Sequence, residues 1–337
     1  MKLDLQQLET ITWGAEQITE EDGAFWFNRF TQEETRLYLD RPDLYVRAKT
    51  TAGVNLEFTT DARELFLQVT NPEKPNYHGF FAFDILVDGV LIGQLKNFTG
   101  EPESGKYYDA IVPADHPSAT FKLGEGVKKV QVVFPWSVKL GVEALELTGA
   151  TFVAPVKRNK RYLIYGDSIT HGSCSLYPSQ TYAALMTQWL GAEAINKAVG
   201  CEIYFPPLAE TARWEDPDYI TVAYGCNDWC NCTAEELADN CRNFWKAICA
   251  KYPHAKKFAL APIWYPDQSQ KGVLGDFEDV ARIMASVLSD FPEVTLIDCM
   301  DFVSRDMIHY GDSWIHPGHT GFQLYFESLK KALTPYL

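Results

Sequence analysis

Several things are scarce in this sequence, and each scarcity narrows what the protein does. No apolar run approaches the roughly 20 residues that a membrane-spanning helix needs, so the chain does not read as a membrane protein. The opening, MKLDLQQLETITWGAEQ, has no apolar core behind a basic start, so it does not read as a secretory signal, and the expected compartment is the cytoplasm. Basic residues are outnumbered, with 30 Lys and Arg against 45 Asp and Glu and a formal charge of −15. A body this acidic repels phosphate backbones and anionic lipid surfaces, so neither nucleic acid nor a membrane is an expected partner. The one dense basic cluster, Lys157-Arg158-Asn159-Lys160-Arg161, precedes an apolar stretch and reads as a solvated linker. Paired cysteine knuckles are missing too. Cys226, Cys230 and Cys232 crowd together without a matching CxxC, so no structural zinc is expected. The eight cysteines all lie in the second half and read as small buried hydrophobes in a reducing compartment. Internal repeats and low-complexity segments are absent.

What is present is apolar material in two patterns. With 46% hydrophobic residues, 337 residues are long for one core and comfortable for two domains. Up to about residue 154, segments such as VNLEFTTD, ELFLQVTN, FAFDILVDGVLIGQLK and KKVQVVFPW alternate apolar and polar residues between turn residues. Asp88-Gly89 between two such runs is a hairpin signal. These short strands predict an all-β sandwich, jelly-roll-like, over 1–154, with no helical stretch longer than the N-terminal one. From 155 to 337 apolar strands alternate with amphipathic segments. YLIY, AEAIN, DYITVAYG, KKFALAP and VTLID predict strands, and helices are expected near 179–190, 233–251, 276–290 and 319–333. Thr233 with Glu236 forms a capping-box signature at the second helix. Alternating strands and helices predict an α/β domain with a parallel sheet covered on both faces.

Ligands of such sheets bind beyond the carboxyl ends of the strands, so those ends carry the functional reading. They deliver Gly166-Asp167-Ser168, then Asn196 with Ala198-Val199-Gly200-Cys201, then Gly225-Cys226-Asn227-Asp228, and finally Asp312-Ser313-Trp314-Ile315-His316-Pro317 before the last helix. One hydroxyl, a small-residue turn, one amide and one imidazole share a rim. Acyl transfer asks for these groups: a serine hydroxyl is a weak nucleophile until an imidazole takes its proton, and the attacked carbonyl becomes an oxyanion that needs fixed donors.

GDSI at 166–169, Asn196 with Gly200, GCND at 225–228 and HP at 316–317 resemble, in order and spacing, the four blocks of the SGNH (GDSL-type) hydrolase superfamily. The resemblance covers about residues 160–335 and implies a flavodoxin-like catalytic domain. It implies Ser168 as nucleophile, His316 as base, and an oxyanion hole built from the N–H of Ser168, a second N–H and the Asn227 side chain. The first half is similar, more loosely, to the β-domains that precede SGNH domains in bacterial carbohydrate esterases. Two positions depart from the family pattern. The register of the usual second-block glycine holds Cys201, so either Gly200, which is favoured, or Cys201 donates. Asp312 stands four residues before His316 where the family has an acid three before, which leaves a Ser168–His316–Asp312 triad and a Ser–His dyad both open.

Aromatics near the strand ends are candidates for the substrate walls, foremost Trp264, Tyr265 and Trp314; Trp229 and Tyr177 are read mainly as packing. His171 reads as a surface helix residue. His316 and His319 are too poorly supported by further ligands to hold a metal, and no cofactor is expected. The function expected is a serine esterase removing a short acyl group, acetyl first, from a carbohydrate or other small ester. A lysophospholipase or thioesterase, and an inert glycan-binding protein, are the alternatives; oligomeric state is not legible.

Overall fold

A computed structural model describes residues 1–73, 79–99, 111–264, 266, 272–312 and 315–337. A capping box at Asp4 and Gln7 starts α1 (Leu5–Ile11). Strands β1 (Thr12–Trp13), β2 (Gln17–Glu21) and β3 (Ala24–Asn28) follow, then two short helices, α2 (Gln32–Arg36) and α3 (Pro42–Ala48). Next come β4 (Asn55–Thr60), β5 (Glu64–Val69), β6 (Ala82–Val87), β7 (Val90–Lys96), β8 (Ser118–Lys122), β9 (Lys128–Val133), β10 (Val142–Thr148) and β11 (Val153–Pro155). They form two antiparallel sheets, in the orders β1-β4-β9-β6-β7, with β11 on β4, and β2-β3-β10-β5-β8. Between them β3 to β10 interleave as two Greek keys. The alternation of the strands sends Phe58, Phe83 and Val130 from one sheet and Leu65, Leu67 and Leu145 from the other into a single core. At the β6–β7 hairpin Asp88 and Gly89 both have positive φ, 49° and 83°, as a two-residue primed turn requires.

Helices α2 and α3 are no longer than α1. Each is too short for helical periodicity to stand out, although Thr31 and Glu34 form a capping box and Pro42 sits in the first turn of α3. In the basic cluster at 157–161 four residues are exposed, as a solvated linker would be, but Arg158 is not. Arg158 donates to both carboxylate oxygens of the buried Glu57, at 2.7 and 2.9 Å, and lies over the Trp13 ring. A carboxylate inside a sheet needs charged donors, and this one draws the connecting segment onto the sandwich.

The second half runs β12 (Lys160–Gly166), α4 (Ser168–His171), α5 (Tyr182–Leu190), β13 (Ala192–Asn196), α6 (Pro206–Thr211), β14 (Tyr219–Ala223), α7 (Cys226–Asn231), α8 (Ala234–Lys251), β15 (Lys256–Leu260), α9 (Asp279–Leu288), β16 (Val294–Ile297) and α10 (His319–Leu333). All five strands are parallel, in the flavodoxin-like order β13-β12-β14-β15-β16. Thr233 and Glu236 cap α8 reciprocally. One core packs Tyr165 and Val222 against Phe244 and Trp245; the other packs Ile164 and Phe258 against Tyr182, Phe322 and Tyr325. The strand order reverses at β12, with β13 added on one side and β14 on the other, and the turns after β12, β13 and β14 meet there.

Candidate active site

Strand β12 ends at Gly166, where an added Cβ would collide with the Thr170 hydroxyl, so the chain can turn tightly into α4 only without a side chain. Asp167 caps α4 by accepting from the Ile169 N–H at 3.0 Å, and burial pushes its carboxyl up to about 6. Ser168 is the first residue of α4. Its hydroxyl donates to His316 Nε2 at 2.7 Å, and His316 Nδ1 donates to Asp312 Oδ2 at 2.5 Å. The other carboxylate oxygen of Asp312 accepts the N–H groups of Ile315 and His316, at 2.9 and 3.1 Å. The four-residue separation is spanned because the segment curls back on its own carboxylate. Burial raises the Asp312 carboxyl, but the His316 bond and charge and the two N–H groups outweigh it, and the net result lies below the usual carboxylate range. With Nδ1–H pointing at Asp312, Nε2 is the bare nitrogen that a serine proton can reach.

The neighbouring turns supply donors. The backbone N–H groups of Ser168, Gly200 and Cys201 meet no acceptor among the described residues. Asn227 donates one amide hydrogen to the Glu202 carbonyl at 3.1 Å, and the second meets no acceptor among the described residues. It sits one residue into α7, whose entry requires Gly225: φ is 122°, and a Cβ there would lie 2.7 Å from Val280 and 2.8 Å from Pro262. Asp228 joins the turns after β13 and β14 by accepting from the Tyr204 and Gly225 N–H groups, both at 3.0 Å; burial pushes its carboxyl up to about 7. Asn196 offers no donor to the site. It latches the second turn instead, donating to the Thr170 carbonyl at 3.0 Å and accepting from the Ala198 N–H at 2.9 Å.

Other candidates stand differently. His171 is not a surface residue but is buried at the junction of the two halves, with Nε2 2.7 Å from Thr50 Oγ1 and the ring edge-on to Trp136. It follows Ser168 by one helical turn, and the sandwich half closes over that face. Trp264 is half-buried, edge-on to Tyr310 at 5.9 Å with Arg305 over its ring. Tyr265 and Trp314 lie outside the described residues. Beside the site, Leu91 of β7, Cys174, Tyr177, Tyr310, Gly311 and His319 line a cleft of about 570 Å³. Leu91 brings a wall from the first half of the chain, which no motif announced. Cys174, Asp312 and His316 bring potential metal-ligand atoms within 4.8 Å of one another, but two of the three are already bonded to each other and, through His316, to Ser168. The eight cysteines are free thiols, Cys201 exposed and Cys230 and Cys249 half-buried. No helix among the described residues is long and apolar enough to cross a membrane.

Residues 164–324 match the GDSL-like lipase/acylhydrolase family. A search of curated protein sequences finds no match. Among solved structures the chain is similar to the salicylyl-acyltransferase SsfX3 from a tetracycline biosynthetic pathway, with 21% identity, a TM-score of 0.80, and 96% of this chain and 94% of that one covered. It is similar to a GDSL-like lipase from Bacteroides ovatus ATCC 8483, with 15% identity, a TM-score of 0.75, and 99% and 97% covered. It is also similar to a family two carbohydrate esterase from Clostridium thermocellum in complex with cellohexaose, with 18% identity, a TM-score of 0.61, and 85% and 93% covered. At these identities the likeness is one of fold, and it extends over both halves. Residues 164–324 therefore form a GDSL-like lipase/acylhydrolase domain, that of an ester-hydrolysing enzyme, behind an antiparallel β-domain.

Proposed function

We propose that the protein is a serine esterase that removes a short acyl group, acetyl in the first place, from a carbohydrate or similar polar alcohol. The unbroken run of bonds from Asp312 through His316 to the Ser168 hydroxyl carries this reading. Ser168 Oγ attacks the ester carbonyl while its proton passes to His316 Nε2. The oxyanion is received by the N–H groups of Ser168 and Gly200 and by the second amide hydrogen of Asn227, each such donor being worth about 10²–10³ in rate. His316 then gives its proton to the departing alcohol oxygen, which leaves the acyl group on Ser168. Water, losing its proton to the same nitrogen, attacks the acyl carbonyl; the acid departs, and the proton returns to Ser168. Asp312 keeps the ring in the required tautomer and stabilises the imidazolium. This favours the triad over the dyad.

The sugar part of the proposal rests on the carbohydrate esterase that shares both halves of the fold, and on the neighbouring cleft, whose lining includes Tyr177, Gln180 and Thr320. Its volume is in the range of small-molecule sites. The free thiols favour a reducing compartment, in keeping with the cytoplasm.

Ser168→Ala tests the chemistry: activity on p-nitrophenyl acetate should vanish, and a variant with full activity rejects the proposal. A chain-length series of p-nitrophenyl esters tests the acyl group, and a preference for long chains would favour a lysophospholipase or thioesterase. The likeness to an acyltransferase over nearly the whole chain supports a second reading, in which an alcohol other than water accepts the acyl group. Product analysis with added alcohols separates the two, since hydrolysis yields only free acid.

A further inference from the structure

The turn after β13 is held by guanidinium groups from the other half of the chain. Arg29 Nη1 donates to the carbonyls of Asn196 and Ala198, at 2.5 and 3.0 Å, and Arg47 Nη1 donates to that of Gly200 at 2.9 Å. Arg41 grips the buried carboxylate of Glu202 with two bonds of 3.1 and 2.7 Å. The Glu202 carbonyl in turn accepts from Asn227. Residues 196, 198, 200 and 202 are thus each anchored to an arginine of the sandwich half. Lys197 between them is buried against Glu16, Glu34 and the Arg29 carbonyl.

These bonds bear on the reacting centre through peptide geometry. A trans peptide is planar, and its N–H points opposite to its C=O. The Gly200 carbonyl shares a peptide with the Cys201 N–H, so Arg47 sets the direction of that N–H. The Val199 carbonyl shares a peptide with the Gly200 N–H and is held by the Glu202 N–H at 3.1 Å, in a turn that Arg41 anchors through the Glu202 side chain. Whichever of the two N–H groups receives the oxyanion, its aim depends on α3 and the residue before it. The Asn227 amide depends on the same turn.

We infer that Arg41 and Arg47 are positioning residues of the oxyanion hole, so that the sandwich half is an obligatory part of the esterase and not only a platform for its substrate. This rests on the reading of Ser168 as nucleophile. A misaimed donor costs transition-state binding, while the ground-state carbonyl loses little, so the expected signature is a fall in kcat at constant KM.

The test is Arg47→Met in the full-length protein, assayed on p-nitrophenyl acetate and titrated with phenylboronic acid, whose tetrahedral serine adduct places an oxygen where the oxyanion sits. A displacement on the order of 1 Å is enough for about 10²-fold, so kcat should fall about 10- to 100-fold. Boronate affinity should fall by the same factor, KM should stay within about twofold, and Arg47→Lys should recover part of the loss. Arg41→Gln should show the same split; the Arg41 side chain is about one-third exposed, and this variant decides if Arg47→Met does not fold. A native kcat in a folded variant, or a kcat loss without loss of boronate affinity, overturns the inference. Ser168→Ala separates the two levels: if it stays active, the nucleophile reading fails, whereas an inactive Ser168→Ala beside a fully active Arg47→Met rejects the positioning role alone.

Discussion

Replacing Asp312 by Asn is the sharpest probe of how the imidazole is held. From described residues the carboxylate accepts His316 Nδ1–H at 2.5 Å on one oxygen, and the N–H groups of Ile315 and His316 at 2.9 and 3.1 Å on the other. An asparagine keeps the two backbone bonds only if its oxygen takes the place of Oδ1. Its NH₂ group then faces Nδ1 and can only donate, which makes Nδ1 the acceptor and moves the ring proton to Nε2. That proton would point at the Ser168 hydroxyl, where a bare nitrogen is needed. The same change of tautomer in a serine protease triad costs about 10⁴ in kcat. Here a loss of about 10³–10⁴, or about 4–5.5 kcal/mol of transition-state stabilisation, is expected at neutral pH, with KM little changed. Because the two backbone bonds survive, the thermal midpoint should move by only a few degrees. Asp312→Ala removes the acceptors of all these bonds and should therefore also destabilise the 312–316 turn, by about 1–3 kcal/mol. Steady-state kinetics on p-nitrophenyl acetate with a thermal melt of each variant decides the matter. An Asp312→Asn enzyme within tenfold of the native kcat would refute the tautomer reasoning and return the dyad.

Two further outcomes concern stability. Burial holds the carboxyls of Asp167 and Asp228 at about 6 and about 7, above the ordinary value of 3.8, so the folded state keeps protons that the unfolded chain has already released. Stability contributed by these two groups is therefore full below pH 4 and declines as pH rises through about 6 and 7; Asp167→Asn and Asp228→Asn should flatten that part of a stability profile measured by urea titration between pH 5 and 8, and a slope unchanged in both variants contradicts it. Arg158→Ala leaves the buried Glu57 with Lys129 at 3.4 Å and the Trp13 N–H at 3.3 Å as its remaining side-chain partners, and it should cost about 3 kcal/mol in urea unfolding. A loss below about 0.5 kcal/mol would show that Arg158 is the solvated linker residue its sequence context implied.

Both halves of the fold were legible because their apolar spacing is local. Period-two runs between turn residues described the sandwich, and alternating strands and helices described the parallel sheet. The four longer helices of the second half start within three residues of where amphipathicity and capping residues put them. What escaped notice was short: α2, α3, α6 and α7 span seven residues or fewer, too little for a 3.6-residue period to repeat. At the rim of the sheet, Ser168, Asn227 and His316 stood out because strand ends in this topology converge, whatever their separation along the chain. Asp312 was harder to interpret. Its bond to His316 depends on the backbone of 312–316 folding onto its own carboxylate, and spacing alone does not encode that.

The residues that sequence reading could not assign share a physical reason. Arg29, Arg41, Arg47, Glu34, Lys197, Glu202 and His171 are polar groups whose partners lie about 120 to 170 positions away, on the other half of the chain. A lone arginine on a short helix has no period and no motif, and its default reading is a solvated surface. Only docking of the two halves takes these groups out of water, and a buried charge without its partner would cost several kcal/mol. Each pairing across the junction therefore holds the halves in one register. The same pairings hold the carbonyls of the turn after β13 on the sandwich side and leave the N–H groups of Gly200 and Cys201 without acceptors among the described residues. A sandwich docked one register away would strand Glu202 and Lys197 together and release that turn, so in this chain the fidelity of domain docking and the aim of the oxyanion donors are one physical requirement.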